Sequence, residues 1–306
     1  MKALVIGASG GFGGAVAREM LRRGVEVTAL VRQGGRDPKI AGLWQAQGDA
    51  LDSLAVSRAA RGMDVIVHGF NVPYQQWVPV ALKALDHVIA AAIQEGATIL
   101  FPGNVYGLGP DFSRPLSETC PRQAPEELGK VRNSMERRLR QASEEGVRVI
   151  VLRAGDFFGP QAANTWFEEV VKRAPKGGAL MDLAPQGVPH AWAYLPDVAR
   201  AAVDLLERRE ALAPYEEVHF EGYALTSEEL MADLQLALGD ARKVRRFPWW
   251  ALRATAPFWP MGRYLLQMRY LWQKPVLLDG GKLRRLLGSW RNTPLGDALR
   301  TTLANA

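Results

Sequence analysis

The sequence has a single cysteine, Cys120, in 306 residues. One thiol excludes an internal disulfide, and a cysteine-based zinc site would need partner thiols that the chain does not have. That usage points to a reducing compartment, so the expected location is cytoplasmic. The four histidines, His68, His87, His190 and His219, have no metal-ligand spacing with carboxylates, and no metal site is expected. No apolar run reaches the roughly 18 residues of a spanning helix, and the one at the N-terminus is too short for a signal peptide. With 48% hydrophobic and 23% charged residues, wholesale disorder is excluded. The length allows one large or two modest domains with a substantial core.

Acidic residues are missing from one long segment. Between Ala241 and Lys274 there are eight cations (Arg242, Lys243, Arg245, Arg246, Arg253, Arg263, Arg269 and Lys274) and no Asp or Glu. The chain's formal charge is +6, so the remainder is slightly acidic, at −2. A net positive charge invites a nucleic-acid reading, but here the charge belongs to one place. The same segment holds Trp249, Trp250, Trp259 and Trp272, four of the nine tryptophans. Arg245, Arg253 and Arg263 could hold an anionic group of a substrate. Alternatively, residues 241–274 could touch a membrane surface or stack single-stranded nucleic acid. A fourth reading is a tryptophan-rich packing segment with its arginines in water.

What is present is an alternation of short β-branched runs with amphipathic ones, which argues for a parallel sheet with crossover helices. Strands are expected at Lys2–Ile6, Val25–Val31, Leu43–Gln47, Asp64–Val67, Thr98–Phe101 and Arg148–Leu152. Helices are expected at Phe12–Leu21, Ser53–Ala60, Pro79–Gln94 and Glu126–Glu144. The fold class is α/β, a doubly wound parallel sheet of the Rossmann type with a smaller, mostly helical C-terminal portion for substrate. The nucleotide domain is placed at 1–160, with 190–220 returning to it, and the substrate portion at 161–306.

Directly after the first strand stands Gly7-Ala8-Ser9-Gly10-Gly11-Phe12-Gly13. Glycines at this spacing suit a tight turn, a close approach of backbone to a pyrophosphate, and close packing of helix on strand. Gly7, Ser9, Gly10, Gly11, Phe12 and Gly13 are therefore candidate cofactor contacts. The same letters match the Gly-x-Ser-x-Gly elbow of serine hydrolases, with Asp156 or Asp182 and His190 downstream. An elbow on the first strand would have no upstream loop to donate the second oxyanion amide, which sets that reading aside. The second strand runs into Arg32, where an acidic side chain would take ribose hydroxyls and an Arg would take a 2′-phosphate. Arg32, with Arg36 nearby, points to NADP in preference to NAD.

The glycine pattern and the motifs downstream of it resemble the extended short-chain dehydrogenase/reductase superfamily, which includes nucleotide-sugar epimerases and dehydratases. Gly48-Asp49-Ala50-Leu51-Asp52 is similar to its Gly-Asp-x-x-Asp, and the resemblance implies adenine contacts from Asp49 and Ala50. His68-Gly69-Phe70 resembles the His-x-Ala segment, placing Gly69 and Phe70 at the cofactor. Asn104-Val105-Tyr106-Gly107 resembles the family's Val-Tyr-Gly stretch, next to Pro102. Arg153 to Pro160 resembles Arg-x-x-Asn-x-Tyr-Gly-Pro, placing Gly155 and Phe157 along the nicotinamide. The likeness extends through Ala193–Ala199 to about residue 240. It implies an NADP-dependent oxidoreductase or epimerase-like enzyme, and a homodimer through the helices preceding the fifth and sixth strands.

The departures fall on the chemistry. In this superfamily a Tyr, with a Lys four residues later, delivers the proton; here those positions read Leu128 and Arg132. Arg132 could still reach the nicotinamide ribose, but leucine has no proton to give. The Ser or Thr region reads Phe101-Pro102-Gly103-Asn104, without a hydroxyl. The chain is thus similar to atypical reductase branches in which a Lys replaces the Tyr, and Lys130 could serve if its helix began late. The other candidates for assisting the oxygen are Asn104, as an amide donor, and Tyr106. Alternation puts His190, Trp192 and Tyr194 on one strand face, so His190 and Trp192, together with Arg263, are candidate substrate contacts. The expected substrate is a small carbonyl-bearing or anionic, partly hydrophobic molecule. The alternative is a protein that binds NADPH as a sensor without turning it over.

Overall fold

A computed structural model describes residues 1–109, 111–162 and 164–305. In chain order the elements open with β1 (Lys2–Ile6), α1 (Gly11–Arg22), β2 (Glu26–Val31), β3 (Trp44–Gln47), α2 (Ser53–Ala60) and β4 (Val65–His68). Next come α3 (Trp77–Glu95), β5 (Thr98–Gly103), α4 (Glu127–Glu144), β6 (Val149–Arg153), β7 (Asp156–Phe158), α5 (Trp166–Val171) and β8 (Leu180–Asp182). After these stand β9 (His190–Tyr194), α6 (Leu195–Glu207), β10 (Tyr215–His219), β11 (Tyr223–Leu225), α7 (Ser227–Leu238) and β12 (Val244–Arg246). The chain closes with α8 (Trp249–Thr255), α9 (Pro260–Gln267), α10 (Tyr270–Gln273), α11 (Gly281–Leu287) and α12 (Leu295–Leu303).

Two compact units are formed. The first comprises Met1–Asn104, Glu127–Arg153 and Val198–Val218. Its seven-stranded sheet has the order β10-β6-β5-β4-β1-β2-β3, and the pairs from β6 through to β3 are parallel. The central strands read as apolar runs because helices cover both faces: every residue of Val65–His68 and Val149–Arg153 is buried. α3 is the one described helix long and apolar enough to span a membrane, counted from Tyr74 to Glu95. It is a core helix here, burying Trp77, Ala81, Ala84, Leu85 and Val88 while packing on α2, α4, β4 and β5.

The second unit comprises Val105–Glu126, Ala154–Asp197 and His219–Ala306. It is not purely helical: β11-β9-β7 form a three-stranded sheet, and β12-β8 a two-stranded one. Its core is aromatic, built on Phe158, Trp166, Phe167, Trp192, Tyr194 and Trp272. The boundaries differ from the expected division at residue 160. Val105–Glu126 leaves the first unit, and of the 190–220 stretch only Val198–Val218 belongs with the large sheet. Strand pairing is the reason: β10, which covers most of the short strand expected at 217–220 but begins two residues earlier, adds a seventh strand beside β6, whereas β9 pairs with β7 and β11.

Candidate active site

The order of the large sheet reverses between β1 and β4, and at such a switch point the carboxyl ends of neighbouring strands diverge into a crevice. The glycine loop lies there. Gly7 has φ +85°, and a methyl group on it would sit 2.2 Å from the carbonyl oxygen of Gly69, just past β4. A methyl on Gly13 would lie 2.5 Å from the carbonyl oxygen of Gly7, so these three glycines let loop, helix and neighbouring strand close on one another. Gly10 is different. A methyl there would meet only the Gly7 oxygen, at 3.3 Å, so packing within the protein barely requires a glycine at this position. What a side chain would occupy is the open space over the start of α1, where unpaired amides favour an anion. Ser9 and Gly10 are exposed, Gly11 opens α1, and Phe12 is buried on the helix's inner side. The residues present therefore fit a dinucleotide whose pyrophosphate rests on Gly10 and Gly11.

Beyond the ends of β2 and β3 lies a cavity of about 620 Å³ lined by Arg32, Gln33, Gly34, Gly35, Gln47, Gly48 and Asp49. A turn positions its cation: the Gly35 amide donates to the Arg32 carbonyl at 2.8 Å, with Gly34 at φ +66°. Arg32 is exposed and free to meet an anion, as is Arg36. On the far wall, Asp49 Oδ1 accepts from the Leu51 amide at 2.9 Å, which fixes the carboxylate's direction. Ala50 is buried, its carbonyl 3.0 Å from His87 Nδ1.

The next strand ends hold a stack that the sequence did not announce. The His68 ring lies on Phe101, centroids 5.6 Å apart at 18°, and the Arg132 guanidinium lies 4.4 Å from the Phe101 centroid. Arg132 also donates to the Pro102 carbonyl. Both ring nitrogens of His68 are buried without a hydrogen-bond partner among the described residues. Burial, and then the nearby Arg132 charge, push the His68 pKa down to about 3. Gly69 and Phe70 come next, half-buried. On α4 the buried face carries Leu128, Arg132 and Glu136. Lys130 is exposed and does not join them. The helix begins at Glu127 with no late start, so two residues from Leu128 carry Lys130 about 200° around the axis, and its expected catalytic role is corrected accordingly.

Arg153, the last residue of β6, lies in the stretch expected to line the nicotinamide, yet its side chain is completely buried. It donates to Glu136 at 2.8 Å, to Glu217 at 2.9 and 3.0 Å, and to the carbonyl of Asn104. The two carboxylates outweigh burial and hold the guanidinium charged. The nearby carboxylates add to burial in raising the Tyr215 phenol. This network holds the end of β5, and with it Asn104, in place. The apolar run before Arg153 marked a strand; nothing marked Glu136 and Glu217 as its partners, because they come from other elements.

In the second unit, Tyr106 is buried and its carbonyl accepts from the Tyr270 hydroxyl at 3.4 Å. Burial pushes that Tyr270 hydroxyl up to about 12. Gly155 is required by packing, since a methyl there would lie 2.1 Å from the Ala191 carbonyl oxygen on β9. Phe157 stands half-buried on β7 beside β9. His190 Nε2 is 2.7 Å from Asp156 Oδ2, and the His190 ring stacks on Trp272 at 3.9 Å and 14°. Its Nδ1 is buried with no partner among the described residues, in a narrow cleft shared with Trp192, Leu230, Met231 and Trp272. The sequence offered Asp156 or Asp182 with His190 only within the hydrolase reading that was set aside; which carboxylate meets His190, across 34 positions, needed the fold. Trp192 and Tyr194 belong to the core, and Arg263 is exposed on α9, apart from this cluster. Among the described residues no group of His, Cys, Asp and Glu could hold a metal.

A glycine loop at the switch point of a parallel sheet, with a cavity at the next strand ends, defines a nicotinamide-dinucleotide-binding protein of the Rossmann class. A model of the NAD dependent epimerase/dehydratase family matches residues 3–219, and the chain belongs to that family. It is similar to a 2-alkyl-3-oxoalkanoate reductase of Stenotrophomonas maltophilia, 33% identical over 101 residues, 31% of this chain and 31% of that enzyme. The matched part thus spans about a third of the curated relative. Among solved structures it is similar to a UDP-glucuronic acid 4-epimerase from Bacillus cereus in complex with UDP-glucuronic acid and NAD. That likeness has a TM-score of 0.80 and 15% identity over 100% of this chain and 98% of the other. Thermus thermophilus UDP-glucose 4-epimerase in complex with NAD gives a TM-score of 0.77 and 20% identity over 100% and 98%. At these identities the structural likeness shows the fold.

Proposed function

We propose that the protein is an NADP(H)-dependent reductase with an atypical proton-delivery site, acting on the carbonyl of a small anionic molecule with an apolar tail. The observation that carries this reading is the open cavity beyond β2 and β3, in which Arg32 is the one lining cation among the described residues. A 2′-phosphate placed there would gain a charge-assisted contact that the ribose hydroxyl of NAD cannot make. The substrate class is supported by the oxoalkanoate named for the relative and by the apolar, tryptophan-rich second unit.

A bound nicotinamide would supply hydride transfer. Gly10, Gly11 and the amides of α1 would hold its pyrophosphate, and Arg132, pinned to Pro102, would border the ribose. Leu128 stands where the family's Tyr is expected and cannot protonate an oxygen. From Phe101 to Gly107 the one hydroxyl is that of Tyr106, which we assign as the acid; Asn104 would orient the reacting oxygen through its amide. His190, its Nε2 held by Asp156, would offer Nδ1 to a polar group of the substrate. Cytoplasmic residence and a homodimer through α3 and α4 belong to the same reading.

The test is a titration with NADPH and NADH, then NADPH oxidation over a panel that includes 2-alkyl-3-oxoalkanoates. Arg32→Gln should weaken NADPH by about 10- to 100-fold, as for a lost charged hydrogen bond, and leave NADH unchanged. Tyr106→Phe should abolish turnover without weakening NADPH. Equal affinity of the unaltered protein for both cofactors would refute the role of Arg32. Tight NADPH binding with no turnover of any carbonyl would replace the enzyme reading by that of a sensor.

A further inference from the structure

Not all of the basic, aromatic segment is packing. Trp272 is buried in the second unit's core, and Trp249 packs beside it with its indole nitrogen donating to the Leu183 carbonyl at 3.0 Å. Two other tryptophans and a phenylalanine point outward: Trp250 is 78% exposed, Phe258 90% and Trp259 46%. The backbone explains the split. Leu252 of α8 and Ala256, its C-cap, are buried, which puts Trp250 and Arg253, three residues apart, together on the outer face of α8. Pro257 and Pro260 break the chain between α8 and α9, and Phe258 and Trp259 form the tip of that turn. Gly262 lets the two helices close: a methyl on it would lie 2.9 Å from the Trp259 ring and 3.4 Å from Leu252.

The cations divide the same way. Arg242 pairs with Asp240 at 2.5 Å, Arg269 lies over Trp249, and Lys274 over Phe112. Lys243, Arg245, Arg246, Arg253 and Arg263 are exposed and have no ion-pair partner among the described residues. An exposed aromatic turn thus has Arg253 and Arg263 on the two helices that meet in it, with Lys243, Arg245 and Arg246 earlier in the same unit, none of them ion-paired among the described residues, on a chain whose remainder is slightly acidic.

We propose that the α8–α9 turn is a membrane-docking tip, with Trp250, Phe258 and Trp259 entering the interface of a bilayer whose anionic lipids meet Arg245, Arg246, Arg253 and Arg263. The charge names the occupant. A second copy of this chain on the same patch would place like charges against each other, because a two-fold interface is self-complementary. Single-stranded nucleic acid is held in a groove with bases stacked along it, whereas Trp250, Phe258 and Trp259 are exposed on α8 and on the turn that follows it. Aromatic rings at headgroup depth with cations beside them are what an anionic lipid surface retains.

The experiment is flotation of the full chain with vesicles of phosphatidylcholine alone or mixed with phosphatidylglycerol, at low and high salt. Binding to the mixed vesicles that weakens with salt is expected. Each cation near the surface is worth about fivefold in partitioning, so Arg253→Gln with Arg263→Gln should lower binding by about tenfold or more. Trp250→Ala with Phe258→Ala should abolish it at either salt. All four positions are exposed, and unchanged thermal unfolding and NADPH affinity would show that the fold is intact. No flotation of the folded protein with anionic vesicles at low salt would overturn the proposal. So would binding to a single-stranded oligonucleotide that the aromatic substitutions remove while vesicle binding persists, or self-association that they abolish.

Discussion

His68 should make this protein sensitive to mild acid, by an amount that can be worked out from its surroundings. The ring is buried at the end of β4, both nitrogens lack partners among the described residues, and Arg132 lies against the same Phe101 ring on which His68 stacks. Burial first, and Arg132 second, lower its pKa from 6.5 to about 3. In the unfolded chain the same ring titrates at its ordinary value, so between these values the unfolded state binds the proton and the native state does not. Stability therefore falls with pH: the contribution is intact above 6.5, is lost progressively below it, and stops changing below 3. Each pH unit in that window costs about 1.4 kcal/mol, which gives about 2 kcal/mol at pH 5 and about 5 kcal/mol by pH 3. Other carboxylates titrate in the same range, so the measurement is a difference of differences. Urea unfolding of the unaltered protein and of His68→Phe, which keeps the stack on Phe101, is recorded at pH 7, 5 and 4. The variant should lose about 2 kcal/mol less than the parent between pH 7 and pH 5. An equal loss in both proteins would mean that His68 is not held neutral by the fold, and would refute the account of the stack.

Two further perturbations test the first unit. Replacing Arg153 with Met should leave the buried Glu136 and Glu217 without the guanidinium charge between them and cost about 3–5 kcal/mol, read as a lowered thermal midpoint; Arg153→Lys, without the fork, should recover only part of it. A fully stable methionine variant would show that the network carries no such weight. The glycines should separate by role. Gly7→Ala, at positive φ and against the Gly69 carbonyl, should destabilise by more than about 2 kcal/mol. Gly10→Ala should unfold like the parent yet lose about tenfold or more in NADPH affinity, because its methyl fills only the space a pyrophosphate would take. Unaltered NADPH binding by Gly10→Ala would argue against that placement.

Elements governed by local pattern were legible in the sequence. β1, the glycine turn and α1 arise directly from an apolar run, three spaced glycines and a helical period, and their place at a sheet's switch point comes from the alternation. Arg32 was singled out by its place at the end of the second strand and Asp49 by its resemblance to the family's Gly-Asp-x-x-Asp, and both line the cavity there. A short strand was legible near Tyr215–His219, but its place as the seventh strand beside β6 was not, since pairing with a strand some sixty residues away leaves no local pattern. Lys130 failed for a simpler reason: it stands about 200°, roughly half a turn, from Leu128 on α4, and the helix begins at Glu127, within one residue of the expected Glu126, with no late start to bring it round.

The sequence by itself settled the repeating backbone logic, the dinucleotide loop and the concentration of positive charge, because each depends on residues close together in the chain. Only the tertiary structure decided which charges are neutralised and which rings are hidden. The partners of Arg153 come from α4 and β10, the partner of His190 from β7, and the split between Trp272 and Phe258 from which side of a helix turn meets a core. Those outcomes depend on long-range packing, where a group's energy is set by neighbours that are distant in sequence and close in space.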